Sequence, residues 1–164
     1  FFAFKAASTP FKNTKLTQYQ KFFPPKMIHK SMLKRTQSFN RSANPEYTHQ
    51  RSSLVDFIFN IAEKLKISVN SSQLAIFTLD LVMYTDPSLT HKGQLYAAIC
   101  LLLAAKTIEL DERIPFIPKL RKISNLSYSM EEFSRAELKV LDLVDWNPQY
   151  TSIVEFIEFY LSQG

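Results

Sequence analysis

Gln94-Leu95-Tyr96-Ala97-Ala98-Ile99-Cys100-Leu101-Leu102-Leu103-Ala104-Ala105-Lys106 is the stretch on which the fold turns. The apolar run inside it, Leu95 to Ala105, falls well short of the roughly 20 residues that cross a bilayer. A helix over about Lys92 to Thr107 would be apolar nearly all the way round, and a helix without a polar face must be enclosed by others. The stretch is therefore read as the central rod of a helical bundle, with alanines that let its neighbours approach closely.

The flanking sequence supplies the enclosure. From Gln50 onward the apolar period is helical, and no segment shows the strict alternation of a half-buried strand. A first helix is predicted from Gln50 to about Lys66, with Leu54, Ile58, Ile61, Ala62 and Leu65 on one stripe. A second starts near Asn70, with Gln73 at the capping-box spacing, and passes Leu74, Phe77, Leu81 and Tyr84 before Pro87 ends it. Residues 108 to 128 form a looser connection containing Pro115 and Pro118, with one short helix around Lys119 to Ser124. A fourth helix opens at Ser129, with Glu132 three residues on, and runs through Phe133, Val140, Leu141 and Val144. Pro148 separates it from a fifth, Thr151 to Ser162, carrying Ile153, Phe156, Ile157, Tyr160 and Leu161. The expected fold is all-α, five helices with the third enclosed by the rest.

Charge divides the chain. Its net +5 conceals a segment, residues 1 to 45, with nine Lys or Arg and no acid, which leaves eleven basic and fifteen acidic residues from Glu46 onward. That segment has four of the eight prolines and no sustained helical period, so residues 1–46 are read as a basic extended arm and 47–164 as the helical domain. Its aromatics, Phe1, Phe2, Phe4, Phe11, Tyr19, Phe22, Phe23 and Phe39, suit an arm that becomes ordered on an acidic partner, the other reading being a flexible regulatory tail. Cys100 is the only cysteine, which excludes an internal disulfide framework and a cysteine-based metal site. An intracellular protein without membrane spans is expected. The first residue is Phe1 rather than Met, which suggests a processed chain or a fragment.

Charges set into apolar stripes are more informative than the stripes. Asp80 interrupts Phe77, Thr78, Leu79, Leu81, Val82 and Met83, where an unpaired carboxylate would be costly. Arg51 is the preferred partner, because a guanidinium engages both oxygens. Glu137 lies four residues from both Phe133 and Leu141, hence on the stripe, and Lys106 closes the apolar rod. A buried ion pair or a helix C-cap accounts for these two in one reading, and the polar ends of a docking surface in the other.

These residues resemble a family. Arg51-Ser52-Ser53-Leu54-Val55-Asp56-Phe57-Ile58 is similar to the opening helix of a cyclin box, Leu74 to Asp80 to its second helix, and Gln94 to Lys106 to its signature third helix. Asp111 to Pro115, Trp146-Asn147 and the closing Phe156 to Leu161 most resemble the J-type cyclins. The resemblance covers one box over residues 47 to 164, with no second box, as in a single-box protein or a fragment ending after the first. It implies that Arg51 and Asp80 hold the first two helices together. It further implies that Lys106 and Glu137, with Leu103 and Trp146 beside them, touch the mobile regulatory helix of a cyclin-dependent kinase. Where many kinase-activating cyclins follow the signature Lys with Phe and paired acids, Thr107, Ile108 and Glu109 follow here. The family's substrate-docking groove would fall at Gln50, Leu54, Phe57 and Gln94, with Gln50 replacing an apolar residue at its edge, a departure that weakens recruitment of Arg-x-Leu motifs.

The function expected from this is a regulatory subunit that binds and activates a cyclin-dependent kinase. The alternative is a structural adaptor whose arm, residues 1–45, anchors it in an acidic assembly such as a microtubule lattice or a ribonucleoprotein. Direct nucleic-acid binding ranks below both, since the basic residues lie in the arm and not along one helix of the box. No enzyme, cofactor or metal is expected, with His29, His49 and His91 scattered and no Gly-rich phosphate loop.

Overall fold

The computed structural model describes residues 44–148, together with Lys26, Met27, His29, Lys30, Tyr150, Thr151 and 153–161. Most of the arm, and the expected end of the last helix at Ser162, lie outside the described residues. Within them the fold is all-α, with six helices: α1 Pro45–Leu65, α2 Val69–Thr85, α3 Gly93–Ile108, α4 Ile117–Ser124, α5 Met130–Leu143 and α6 Ile153–Leu161. Helix α4 is the short one expected in the connection, and the other five are the expected bundle. No helix of the described residues is long and apolar enough to cross a membrane.

Helix α3 is the enclosed rod. Every residue from Leu95 to Ala105 is buried, and α3 packs against α1, α2, α4 and α5. At its start Gly93 meets α1 so closely that an added Cβ would stand 3.0 Å from Leu54 Cδ1. Burial pushes the Cys100 thiol up, with the Asp80 carboxylate adding to it, so it behaves as a packed apolar group.

Several helix starts differ from expectation: α4 begins at Ile117 and not Lys119, α6 at Ile153 and not Thr151, and α1 and α2 differ for reasons their caps supply. Helix α1 opens at Pro45, five residues before Gln50 and two before the expected domain boundary, because Asn44 caps it. The Asn44 side-chain oxygen accepts from the Tyr47 N–H at 3.0 Å, and Pro45 at the first position needs no donor of its own. The same amide donates to the Met83 carbonyl at 2.7 Å and to Thr90 Oγ1 at 3.2 Å, joining the head of α1 to the tail of α2. Helix α2 is capped by Ser68 and not by Asn70; the Ser68 hydroxyl accepts from the Ser71 N–H at 3.3 Å. The capping box at Ser129 and Glu132 is formed in full.

In the arm, Lys26, Met27, His29 and Lys30 are helical rather than extended, and His29 lies against α6. His29 stacks on Phe159, with ring centroids 5.9 Å apart, and its Nε2 lies 2.9 Å from the Tyr160 hydroxyl.

Glu109 selects Ser68 as the cap. Its carboxylate, just past the end of α3, accepts from the Ser68 N–H at 2.8 Å and the Ser71 hydroxyl at 2.6 Å. Burial alone would raise this carboxyl, but the hydrogen bonds from Ser68 and Ser71, helped by Arg113, outweigh it and hold it below its ordinary 4.5. A depressed carboxyl stabilises the fold above its unfolded pKa, and that contribution is lost as pH falls through the folded value. Glu109→Gln is expected to cost about 1–3 kcal/mol at neutral pH. Urea midpoints of the two proteins should converge as pH drops below the carboxylate range; a constant gap would refute the assignment.

Candidate functional site

The best-formed polar site joins α1 and α2. Arg51 Nε lies 2.7 Å from Asp80 Oδ1 and Arg51 Nη2 2.8 Å from Oδ2, a bidentate pair, and the Tyr47 hydroxyl donates to Oδ1 at 2.6 Å. Burial first, and the bond to Asp80 second, hold the Tyr47 phenol above its ordinary value, so it remains a donor. Arg51's own hydrogen bonds to Asp80 raise its guanidinium, outweighing the effect of burial. The nearby Cys100 thiol is buried and held protonated, and the geometry of this cluster is that of a clamp between helices. Tyr47 was not singled out in the sequence; a phenol one turn before Arg51 on the same helix face was the available signal.

The second site brings together the two charges at the rod's end and on α5. Lys106 Nζ donates to Glu137 Oε1 at 2.5 Å, with the side chains 45% and 15% exposed. The pair is thus neither fully internal nor free: it closes on itself while one partner remains half in water. On the other flank of α5 stand Lys92 with Glu132 at 3.4 Å and Lys139 with Asp86 at 3.1 Å. Glu132 and Lys139 project from the side of α5 opposite to Glu137, so the three pairs clamp α5 across the rod from both sides. Hydrogen bonds from the Ser88 hydroxyl, then from Lys139, pull the Asp86 carboxyl down.

Trp146 follows α5 on an unusual backbone. Asp145 and Trp146 both have positive φ, 50° and 56°, a region costly for side chains with a Cβ. The Trp146 N–H returns to the Leu141 carbonyl at 2.8 Å, and the indole N–H donates to Asp142 Oδ1 at 3.0 Å. Held this way, the indole is 62% exposed. Such strain persists only where surrounding bonds fix it, and it puts a large apolar ring in water.

Two expected contact residues point elsewhere. Leu103 is 5% exposed and belongs to the core of the chain by itself. Leu138 is exposed and Leu141 half-buried, both on α5 within four residues of Glu137. Leu54, expected in the docking groove, is likewise buried, filling the seam against Gly93 with the Gln50 side chain beside it. Phe57 is half-buried against the core and Gln94 is exposed.

Comparison with known proteins adds the context. The family "Cyclin, N-terminal domain" matches residues 25–149. Cyclin-J of Xenopus laevis is 28% identical over 117 residues, 68% of this chain and 30% of that protein. Cyclin puc1 of Schizosaccharomyces pombe is 30% identical over 97 residues, 59% of this chain and 27% of that protein. Cyclin-D of Ostreococcus tauri is 30% identical over 112 residues, 68% of this chain and 30% of that protein. The chain spans less than a third of the length of these relatives.

Arg51→Ala should leave Asp80 with Tyr47 as its only clamp partner and cost about 1–3 kcal/mol, below the figure for a fully buried pair because Arg51 is half exposed. Arg51→Lys is expected to recover only part of that, since an ammonium cannot form the paired bonds. Thermal melts of the two variants check this, and a lysine variant as stable as the parent would contradict it.

Proposed function

The chain belongs to the cyclin family, and on that premise we propose that it is a regulatory subunit that binds and activates a cyclin-dependent kinase through the face around Lys106 and Glu137. The carrying observation is the half-exposed Lys106–Glu137 pair together with the exposed, conformationally strained Trp146 that follows the same helix α5. Pairing does not exhaust these groups. The ammonium keeps hydrogens beyond the one given to Glu137, and the carboxylate keeps its second oxygen.

A kinase helix end brings the complementary groups, unsatisfied carbonyls for Lys106 and backbone amides for Glu137. Trp146, with Leu138, offers the apolar anchor that concentrates binding energy at an interface. Holding that helix inward keeps the kinase's own Lys–Glu ion pair assembled, so the regulatory subunit selects the active state without touching the phosphates. In this reading the chain contributes surface and no chemistry of its own.

The residues after Lys106 fit a reduced version of the face. The Thr107 hydroxyl bonds back to the Leu103 carbonyl at 2.8 Å, Ile108 packs against the core, and Glu109 is engaged with Ser68 and Ser71. All three positions face inward work, which leaves Trp146 as the main anchor.

Lys106→Ala combined with Glu137→Ala, and Trp146→Ala separately, should each weaken kinase capture about 30-fold or more, the scale of an interface hot spot. Quantitative pull-down with a histone-kinase readout measures it, circular dichroism serving as the folding control. Undiminished capture and activation by the double variant would overturn the proposal.

A further inference from the structure

Some cations of the described residues are paired with a carboxylate and others are not. Arg51, Lys92, Lys106, Arg113 and Lys139 each lie within 4.0 Å of a carboxylate. Lys26, Lys30, Lys64, Lys66 and Arg135 have no such partner among the described residues, and helix α4 gathers more of this kind at neighbouring positions. Its buried residues are Leu120 and Ser124, and its outward residues are Pro118, Lys119, Arg121 and Lys122, none of the three cations having a carboxylate partner among the described residues. The sequence from Arg113 to Met130 contains no acid. At the head of this helix Phe116 is 80% exposed.

The backbone that carries the ring is restricted. Pro115 is buried and Pro118 sits in the first turn of α4, so both neighbours of the Phe116-Ile117 pair have fixed φ. Phe116 itself is extended, at φ −70° and ψ 147°. An aromatic pre-set in this way loses little freedom when a partner covers it.

We infer that the outer face of α4, Phe116 with Lys119, Arg121 and Lys122, is a docking site for an acidic peptide segment carrying one apolar side chain. Charge complementarity selects the acidic character, since nothing nearby neutralises the three cations. Size selects a peptide: α4 has 8 residues, about 12 Å, the reach of three or four extended residues. One ring on a backbone restricted by prolines is an anchor for one apolar neighbour and not a stacking platform for successive bases. A single ring with three cations fanned around half the helix also falls short of the two membrane signals that stable attachment takes. The site is separate from the kinase-facing pair and does not depend on it.

The test uses the whole chain and a fluorescein-labelled peptide of Glu and Asp with one central Leu, read by fluorescence anisotropy across a salt series. Binding should fall about tenfold or more in Lys119→Ala/Arg121→Ala/Lys122→Ala, with the salt dependence largely gone. Phe116→Ala should weaken binding at every salt concentration while leaving the salt slope unchanged. These exposed changes should leave helicity and kinase capture intact, so failure here is distinguishable from failure of the kinase reading. No peptide binding by the unchanged chain, or binding indifferent to both variants, overturns the inference. So does binding that the same variants abolish on phosphatidylserine vesicles or on single-stranded RNA while the peptide does not bind.

Discussion

The constraint on which this molecule depends is that α3 has no polar face. Burial is non-directional and tells the neighbouring helices only that they must cover the rod, without fixing where along it they cross or how they are turned. With the rod's whole length given over to apolar contact, directional bonds can form only at its two ends and around its outer helices. The structure has that distribution. Gly93 lets α1 press against the start of the rod, and Lys106 and Glu109 act at its end.

Each outer helix is consequently tied at its periphery. Asn44 and the Tyr47–Arg51–Asp80 cluster join α1 to α2, Glu109 joins the end of α3 to the start of α2, and three ion pairs grip α5 from two sides. Half-exposed pairs of this kind contribute little net stability one by one. Their effect is on geometry, because a bidentate Arg–carboxylate pair or a carboxylate receiving two donors tolerates little rotation. The positioning of Lys106 and Glu137 side by side follows from the crossing of α5 over α3, which those clamps define.

What could be read from the sequence was what is local. The rod was legible because eleven adjacent side chains declare their environment without reference to anything else. The Ser129–Glu132 box was legible because both partners lie within one turn. The start of α1 was missed because its apolar stripe begins later than its cap, and Pro45 counted among the prolines of the arm when, after Asn44, it marks a helix head. Ser68 prevailed over Asn70 for a reason no local window contains, a carboxylate 41 positions away. Arg51 and Asp80 could be matched from cost alone, since a carboxylate in an apolar stripe needs a cation. Whether Lys106 and Glu137 meet depends on an interhelical angle, whereas the burial of Leu54 and Leu103 is what their places on the apolar stripe and in the rod already implied, and only the family resemblance had assigned them to surfaces.

The paired and the unpaired cations follow from the same constraint. A fold that is tied together only at its edges must place charged groups there, and a charge engaged in a clamp is compromised as a recognition element, since a partner must compete with its existing bond. Lys106 is intermediate, bonded to Glu137 yet 45% exposed, so a partner can add to the bond instead of replacing it. Helix α4 is short and held by Leu120 and Ser124 without needing an ion pair, and its cations are therefore left uncommitted. Freedom from structural duty, gathered beside an exposed ring, separates the basic face of α4 from the paired cations around the box.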